Sequence, residues 1–307
     1  MILEFSPQPP FDFKKMMKRL IGAQKTQLVL ISDDLTQYER VVRFKGAAFY
    51  LRVNSKGSVD EPSILCTAEM IEGDLAEEDM KDAVERIFSL KVDLTEFYQG
   101  FAKQNKLSSL CRQFNGLKLV TDTDLFEAIT KIIVGQQVNL TFAGTLINRL
   151  TDLAGTKIEH NGKSFQLFPE AEKVAMLDYS QLRELQFSQR KAEYIIDLAR
   201  MAASGTLALD ELWHKTDEEI MQILLPIRGI GRWTIECLLI FGMGRPDVLP
   251  AADIGLRNGV KLVWDMDHQP SEEEVRELAK DWVPWRTYVT YYLWESLAKE
   301  PAVLQIP

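Results

Sequence analysis

Apolar and polar residues alternate along the first seventy positions, and then their spacing changes. Segments 27–32 (QLVLIS), 40–44 (RVVRF), 47–53 (AAFYLRV) and 63–67 (SILCT) are rich in β-branched and aromatic residues. Their alternation, broken by turn signals such as Asn54-Ser55-Lys56-Gly57, predicts an antiparallel sheet. A helix is expected before it over 11–21 and another after it over 77–89. From about Asp93 onward the apolar positions recur every three or four residues, as in Phe126, Ile129, Ile132 and Ile133, or Ile195, Leu198 and Ala199. That spacing predicts helices almost throughout. Ser271 and Glu274, directly after Pro270, form a capping box at a helix start. Pro284 suits the first turn of a final helix over 284–299. The expected fold is α+β: an N-terminal antiparallel β-sheet domain with helices over residues 1–97, then a helical domain over 98–307. No repeat or low-complexity linker separates them, so the two parts should pack tightly.

Composition narrows the class of function. The chain has 307 residues, of which 46% are hydrophobic, enough to bury a substantial core. Its net charge of -9 argues against a nucleic-acid partner if taken alone, since phosphate binding is mainly electrostatic. A small positive site can still sit on an acidic body. Cys66, Cys111 and Cys237 are far apart and form no C-x-x-C. They cannot supply a four-thiolate zinc or iron–sulfur site, and they fit a reducing cytoplasm better than a disulfide framework. His160, His214 and His268 are isolated and are expected on the surface. The N-terminus meets Pro7, Pro9 and Pro10 and then Lys14, Lys15, Lys18 and Arg19, with no apolar leader, and the apolar run 237–243 is too short to span a bilayer. No membrane association is expected.

The most informative stretch is 225–258, LPIRGIGRWTIECLLIFGMGRPDVLPAADIGLRN. A helix over 217–224 meets a short turn, Pro226-Ile227-Arg228-Gly229-Ile230-Gly231, and a second apolar helix starts near Arg232. Two glycines one residue apart let the backbone turn sharply and approach a ligand closely. The second helix then offers free N–H groups that suit a phosphate. Arg228 and Arg232 flank this point, and Arg228, Arg232, Arg245, Arg257 and Lys261 outnumber Glu236, Asp247 and Asp253. A G-x-G alone equally fits a plain helix–helix turn. Asp253 adds a carboxylate at the following helix start, where it can be an N-cap worth about 1 kcal/mol and also face an extruded nucleotide.

This segment resembles the helix-hairpin-helix glycosylase superfamily, whose pattern is a G-[IV]-G hairpin followed by an aspartate. The fuller match is to the DNA-3-methyladenine glycosylase II (AlkA) family. Its signatures recur as Gln136-Gln137-Val138-Asn139, Phe168-Pro169, Gly229-Ile230-Gly231-Arg232-Trp233-Thr234, and Pro284-Trp285-Arg286 followed by Trp294. Gln8-Pro9-Pro10-Phe11-Asp12 and Val92-Asp93-Leu94 with Phe97-Tyr98 belong to the same pattern, so the resemblance covers nearly the whole chain.

The resemblance implies a two-lobed, all-helical HhH-GPD glycosylase domain with the active-site cleft between its lobes. It implies a monomer acting in the cytoplasm on double-stranded DNA with a flipped damaged base. Asp253 is the implied catalytic carboxylate, stabilising an oxocarbenium-like transition state. Trp233 and Trp294 are the implied walls of the base pocket, with Tyr291 and Cys237 beside them, and a cationic base gains about 0.5–2 kcal/mol against such rings. Thr287 and Thr290, small and polar, suggest that Trp294 faces the site, whereas Trp285 and Tyr292 are expected in the core. Gln137 is the implied plug for the vacated stack, with Gln136 beside it, and Arg228, Gly229, Gly231 and Arg232 are the implied DNA grip. The main-chain oxygens of Leu225, Ile227 and Ile230 are implied to hold a structural sodium or potassium ion; no other cofactor and no iron–sulfur cluster is expected.

Bifunctional members carry a lysine where this chain has Trp233, and an indole cannot form a Schiff base. A monofunctional enzyme removing alkylated purines is therefore expected, without lyase activity. The chain departs from its relatives at Gln137, where some insert leucine, at Cys237, where some have an aromatic, at Arg19, and at the hairpin proline, which precedes Ile227. Cys237 and Arg19 motivate an alternative, a glycosylase for oxidised or deaminated bases. The acidic net charge motivates another, a non-catalytic binder of distorted DNA.

Overall fold

The computed structural model describes residues 1–23, 26–102 and 104–297. Its first part is an antiparallel sheet of order β1-β5-β4-β3-β2, built from β1 (Ile2–Phe5), β2 (Leu30–Ile31), β3 (Gln37–Phe44), β4 (Ala47–Gly57) and β5 (Pro62–Glu72). Helix α1 (Phe13–Ala23) lies between β1 and β2, and α2 (Glu77–Ile87) follows β5. The expected turn at Asn54–Gly57 lies later. Asn54, Ser55 and Lys56 stay in the ladder opposite Leu65, Ile64 and Ser63, and the chain reverses only where the Ser58 N–H donates to the Glu61 carbonyl at 3.2 Å. The strand expected over 27–32 shrinks to Leu30–Ile31, because Gln27 is drawn off the sheet. Its N–H donates to Asn148 Oδ1 at 2.9 Å and its amide to Asp152 Oδ1 at 2.6 Å.

The second part begins with α3 (Thr95–Phe101), α4 (Asn105–Gln113), α5 (Leu125–Gly135) and α6 (Leu140–Ala154). It is not all helical: β6 (Thr156–His160) and β7 (Lys163–Leu167) form a hairpin. Asn161 (φ 49) and Gly162 (φ 72) supply the two left-handed residues of a two-residue turn. The hairpin is stable because it covers the second face of the large sheet. Phe165 and Leu167 pack on Val41, Ala48 and Tyr50, and Lys163 Nζ lies 2.6 Å from Glu39. His160 is correspondingly only half-exposed, its ring 4.5 Å from that of Tyr50. Then follow α7 (Ala171–Ala175), α8 (Tyr179–Glu184), α9 (Gln189–Ala203), a 3₁₀ turn (Leu209–His214), α10 (Asp217–Leu224) and α11 (Arg232–Cys237), which widens into a π turn (Leu238–Gly242). The last helices are α12 (Ile254–Trp264), α13 (Glu272–Leu278) and, after a 3₁₀ turn (Ala279–Trp282), α14 (Arg286–Leu297). Both halves of the Ser271–Glu274 capping box form. Residues 298 and 299 of the expected final helix lie outside the described residues.

One apolar core runs from Leu3 to Leu293 and joins the two parts. Phe97 of α3 meets Trp285, Tyr288 and Tyr292 with ring centroids 5.4–6.1 Å apart. Tyr292 is buried as expected, and Trp285 is half-buried against this cluster. A buried ionic cluster pins the sheet to α5: Arg40 of β3 bonds Asp122 at 3.1 Å and also Glu127, and Lys131 bonds both acids at 2.8–2.9 Å. Each charge is compensated, which a low-dielectric interior requires. The cluster fixes the helix whose C-terminal end leads to Gln136. No helix among the described residues is long and apolar enough to cross a membrane.

Candidate active site and nucleic-acid interface

Asp253 caps α12, and its backbone (φ -65, ψ 124) is extended as an N-cap requires. Its Oδ1 accepts the Leu256 N–H at 2.6 Å. Two further donors come from distant parts of the chain. Trp233 Nε1 on α11 donates to Oδ2 at 2.9 Å, and Trp294 Nε1 on α14 donates to Oδ1 at 2.8 Å. Asp253 is only 5% exposed, and none of the three donors carries a charge. The carboxylate is therefore held rigidly by N–H groups while its negative charge stays available to a cation placed before it.

The two indoles, expected as pocket walls, thus meet at the aspartate. Trp294 also stacks on Phe241, with centroids 5.6 Å apart and planes 20° from parallel. Tyr291 is buried, 6.5 Å from Phe241, and the Arg19 guanidinium sits 4.4 Å above its ring while bonding Glu295 at 2.5 Å. Burial pushes the Tyr291 phenol up to about 12. Cys237 is buried too, and burial, with Asp253 and Glu236 nearby, pushes its thiol well above the ordinary range. Thr287 and Thr290 do not mark an open face beside Trp294, because both are fully buried. The Thr287 hydroxyl bonds backbone, donating to the Arg245 carbonyl at 2.7 Å and accepting the Val248 N–H at 2.9 Å. Phe241 was missed because it lies in the π turn, which shifts side chains off helical spacing; such turns recur at functional sites.

In the hairpin, the Ile227 N–H donates to the Leu224 carbonyl and the Ile230 N–H to the Ile227 carbonyl, each at 3.0 Å; Leu225 ends α10. Gly229 has φ +91, and a Cβ there would lie 2.2 Å from Tyr194 Cγ, so this position requires glycine twice over. Gly231 differs: it is exposed, has negative φ, and a Cβ would meet nothing within 4 Å. Gln136, expected at the DNA surface, is half-buried and also braces the hairpin. Its amide donates to the Gly229 carbonyl at 3.1 Å and to Thr234 Oγ1 at 2.9 Å, tying the end of α5 to the hairpin. Gln137 is exposed at φ +55, a strained conformation for a residue with a side chain.

Three of the basic residues near the hairpin are engaged within the protein. Arg228 bonds Glu193 at 2.6 Å and lies over Tyr194; Arg245 bonds the Lys215 carbonyl at 2.9 Å and approaches Asp217; Arg257 bonds the Pro270 carbonyl at 2.6 Å. Arg228 nonetheless stays 64% exposed, and Arg232 is paired more loosely still. Its side chain is 58% exposed, and its ion pair with Glu236 spans 3.9 Å, beyond hydrogen-bond distance. Glu236 is buried, its Oε2 has no partner, and burial pushes its carboxyl up to about 7. An i,i+4 pair in sequence reads as a solvated face, so nothing marked this acid as buried. Among the described residues no group of three or more His, Cys, Asp or Glu side chains could hold a metal ion.

Comparison with known proteins identifies relatives along the whole chain. Residues 130–285 match the family model of the HhH-GPD superfamily base excision DNA repair protein, and residues 11–129 match that of the 8-oxoguanine DNA glycosylase N-terminal domain. A DNA-3-methyladenine glycosylase of Bacillus subtilis is 36% identical over 68% of this chain and 69% of its own length. DNA-3-methyladenine glycosylase 2 of Escherichia coli is 25% identical over 96% of this chain and 97% of its own. The solved 3-methyladenine DNA-glycosylase of Archaeoglobus fulgidus shares the fold with a TM-score of 0.85 at 24% identity, over 98% of this chain and all of that one.

Proposed function

The chain belongs to the HhH-GPD superfamily of base excision DNA repair proteins, and on that premise we propose that it is a DNA glycosylase releasing alkylated purines of the 3-methyladenine type from duplex DNA. The observation that carries this reading is the Asp253 carboxylate, fixed by two indole N–H groups and a backbone N–H, with no cation bonded to it. In the proposed reaction the damaged nucleotide leaves the stack and its sugar faces Asp253. As the C1′–N bond breaks, positive charge develops on the sugar, and the carboxylate stabilises it. Water adds at C1′ and loses a proton, giving an abasic site and the free base. An alkylated purine is already cationic, so it leaves as a neutral base without protonation by the protein.

The cleft is proposed to lie between two lobes of the helical part, where α11, α12 and α14 converge on Asp253. Gln137, exposed and held in a left-handed conformation, is proposed to fill the vacated stack, while Gly231 and Arg232 meet the strand. Trp233 supports a monofunctional reaction, since its ring nitrogen already binds Asp253 and it has no amine for a Schiff base. The main-chain oxygens of Leu225, Ile227 and Ile230 are proposed to hold one sodium or potassium ion. The Ile227 carbonyl spends one lone pair on the Ile230 N–H and keeps another, and neutral oxygens suit such a hard cation. The protein is proposed to act as a monomer in the cytoplasm, where three buried thiols stay reduced.

A second reading is favoured by one observation. The Arg19–Glu295 ion pair over Tyr291 sets polar hydrogen-bonding groups beside the aromatic cluster, and these suit the neutral, polar edges of oxidised or deaminated bases. Base release from duplexes carrying each lesion, with the freed bases identified by mass, decides between the two. The expected outcome is alkylpurine release with no strand nicking and no borohydride-trapped adduct. Preferential release of neutral lesions would favour the second reading, and binding without release would leave only a DNA-binding role.

Trp294→Phe tests the indole contribution. It keeps the stack on Phe241 and removes one donor to the carboxylate, worth about 1.5–3 kcal/mol. Single-turnover base release should slow about tenfold or more with DNA affinity unchanged. Release at the native rate would show that this N–H does not matter to the reaction.

A further inference from the structure

Glu236 is an acid that the proposed reaction leaves idle, and its surroundings are unusual. It is 5% exposed, and Oε2 has no hydrogen-bond partner. Leaving a charged oxygen buried and unpaired is costly, so the group needs either a close cation or a proton. The nearest cation, Arg232, stands one turn earlier at the start of α11, with Nη1 3.9 Å from Oε1. That separation gives charge stabilisation without a hydrogen bond, and the guanidinium remains mostly in solvent beside the exposed Gly231.

We propose that Glu236 is a positioning residue that holds Arg232 in the free protein and takes up a proton when Arg232 moves to a DNA phosphate. The proposal rests on the DNA-binding reading of the hairpin. Arg232 can serve only one anion at bidentate distance, and a phosphate at the hairpin offers the better geometry. Once the guanidinium leaves, Glu236 loses its nearest opposite charge in an enclosed site. Arg276 and Glu272 on α13 and Asp253 on α12 also act on it. Arg276 favours the charged form, the two acids disfavour it, and neither acid moves away with the arginine. Protonation then relieves the buried charge, with the proton drawn from solvent.

Burial already pushes the free carboxyl up to about 7, and departure of Arg232 raises it further in the complex. Binding therefore takes up a proton at pH values between the free and bound pKa. Below that window Glu236 is protonated in both states, and affinity does not depend on it. Above about pH 7, affinity falls as pH rises, by at most about tenfold per unit for one proton.

The test is fluorescence anisotropy of the full-length protein on a duplex with a central abasic site, from about pH 6 to about pH 8.5 at constant salt. Wild type should weaken several-fold between neutral and alkaline pH. E236Q should bind with the tight, low-pH affinity at every pH, and R232A should bind weakly at every pH. Titration calorimetry of wild type in buffers of different ionisation enthalpy counts the proton directly, whether or not a variant folds. Uptake of a fraction of a proton near pH 7.5 is expected; none would overturn the proposal, as would an E236Q that keeps the wild-type slope. If wild type binds no duplex at any pH, the DNA-binding reading itself fails.

Discussion

Asp253→Asn is expected to slow base release by about a thousandfold while DNA binding persists. A unit charge about 4 Å from a developing cation, at an effective dielectric near 20, contributes about 4 kcal/mol, or about three decades in rate. Asparagine caps helices as well as aspartate does, so the Leu256 N–H keeps an acceptor and α12 keeps its start. The amide oxygen can also keep the Trp294 bond. The amide nitrogen, however, would face Trp233 Nε1 as donor against donor, costing about 1–2 kcal/mol. The variant should therefore melt slightly earlier, bind an abasic duplex normally, and release almost no alkylated base. Near-native release would remove Asp253 from the reaction. Loss of binding together with release would mean that its role is structural.

Much of this arrangement was legible in the chain because it depends on local rules. A proline-flanked aspartate before an apolar helix reads as a cap, and it is one. A glycine pair between two helical patterns reads as a tight turn, and Gly229 requires that turn. Long-range partners were not legible. No local pattern connects Trp294 to Asp253, forty-one residues earlier, or Gln136 to the hairpin. The basic excess around the hairpin was a count within a window, and such a count cannot show that three of its arginines bond partners outside it, Glu193 and the carbonyls of Lys215 and Pro270. The β6–β7 hairpin is a different kind of miss. Asn161-Gly162 is a strong turn signal, but the strands beside it are short, and only Phe165 and Leu167 are buried, against the sheet. Helical spacing on both sides masks so short a pair of strands.

The two hairpin glycines should separate stability from recognition. Gly229→Ala forces a side chain into a left-handed conformation at φ +91 and sets its Cβ 2.2 Å from Tyr194 Cγ. The conformation costs about 1–2 kcal/mol and the overlap about 1–3 kcal/mol more. Tyr194 cannot yield freely, since the Arg228 guanidinium rests over its ring. A loss of about 4 kcal/mol in a chain of this size lowers the melting temperature by about 10 °C. The hairpin should loosen with it, because the Gly229 carbonyl is the acceptor for Gln136. Gly231→Ala should melt within a degree or two of wild type, as its Cβ enters open space at an ordinary φ. The open space is where a DNA backbone would close on the start of α11, so the methyl should weaken duplex binding about tenfold, roughly 1.4 kcal/mol. Melting curves and binding isotherms on the two variants check this. If both lose stability and affinity in the same proportion, Gly231 is merely part of the turn, and the strand does not approach the hairpin at that point.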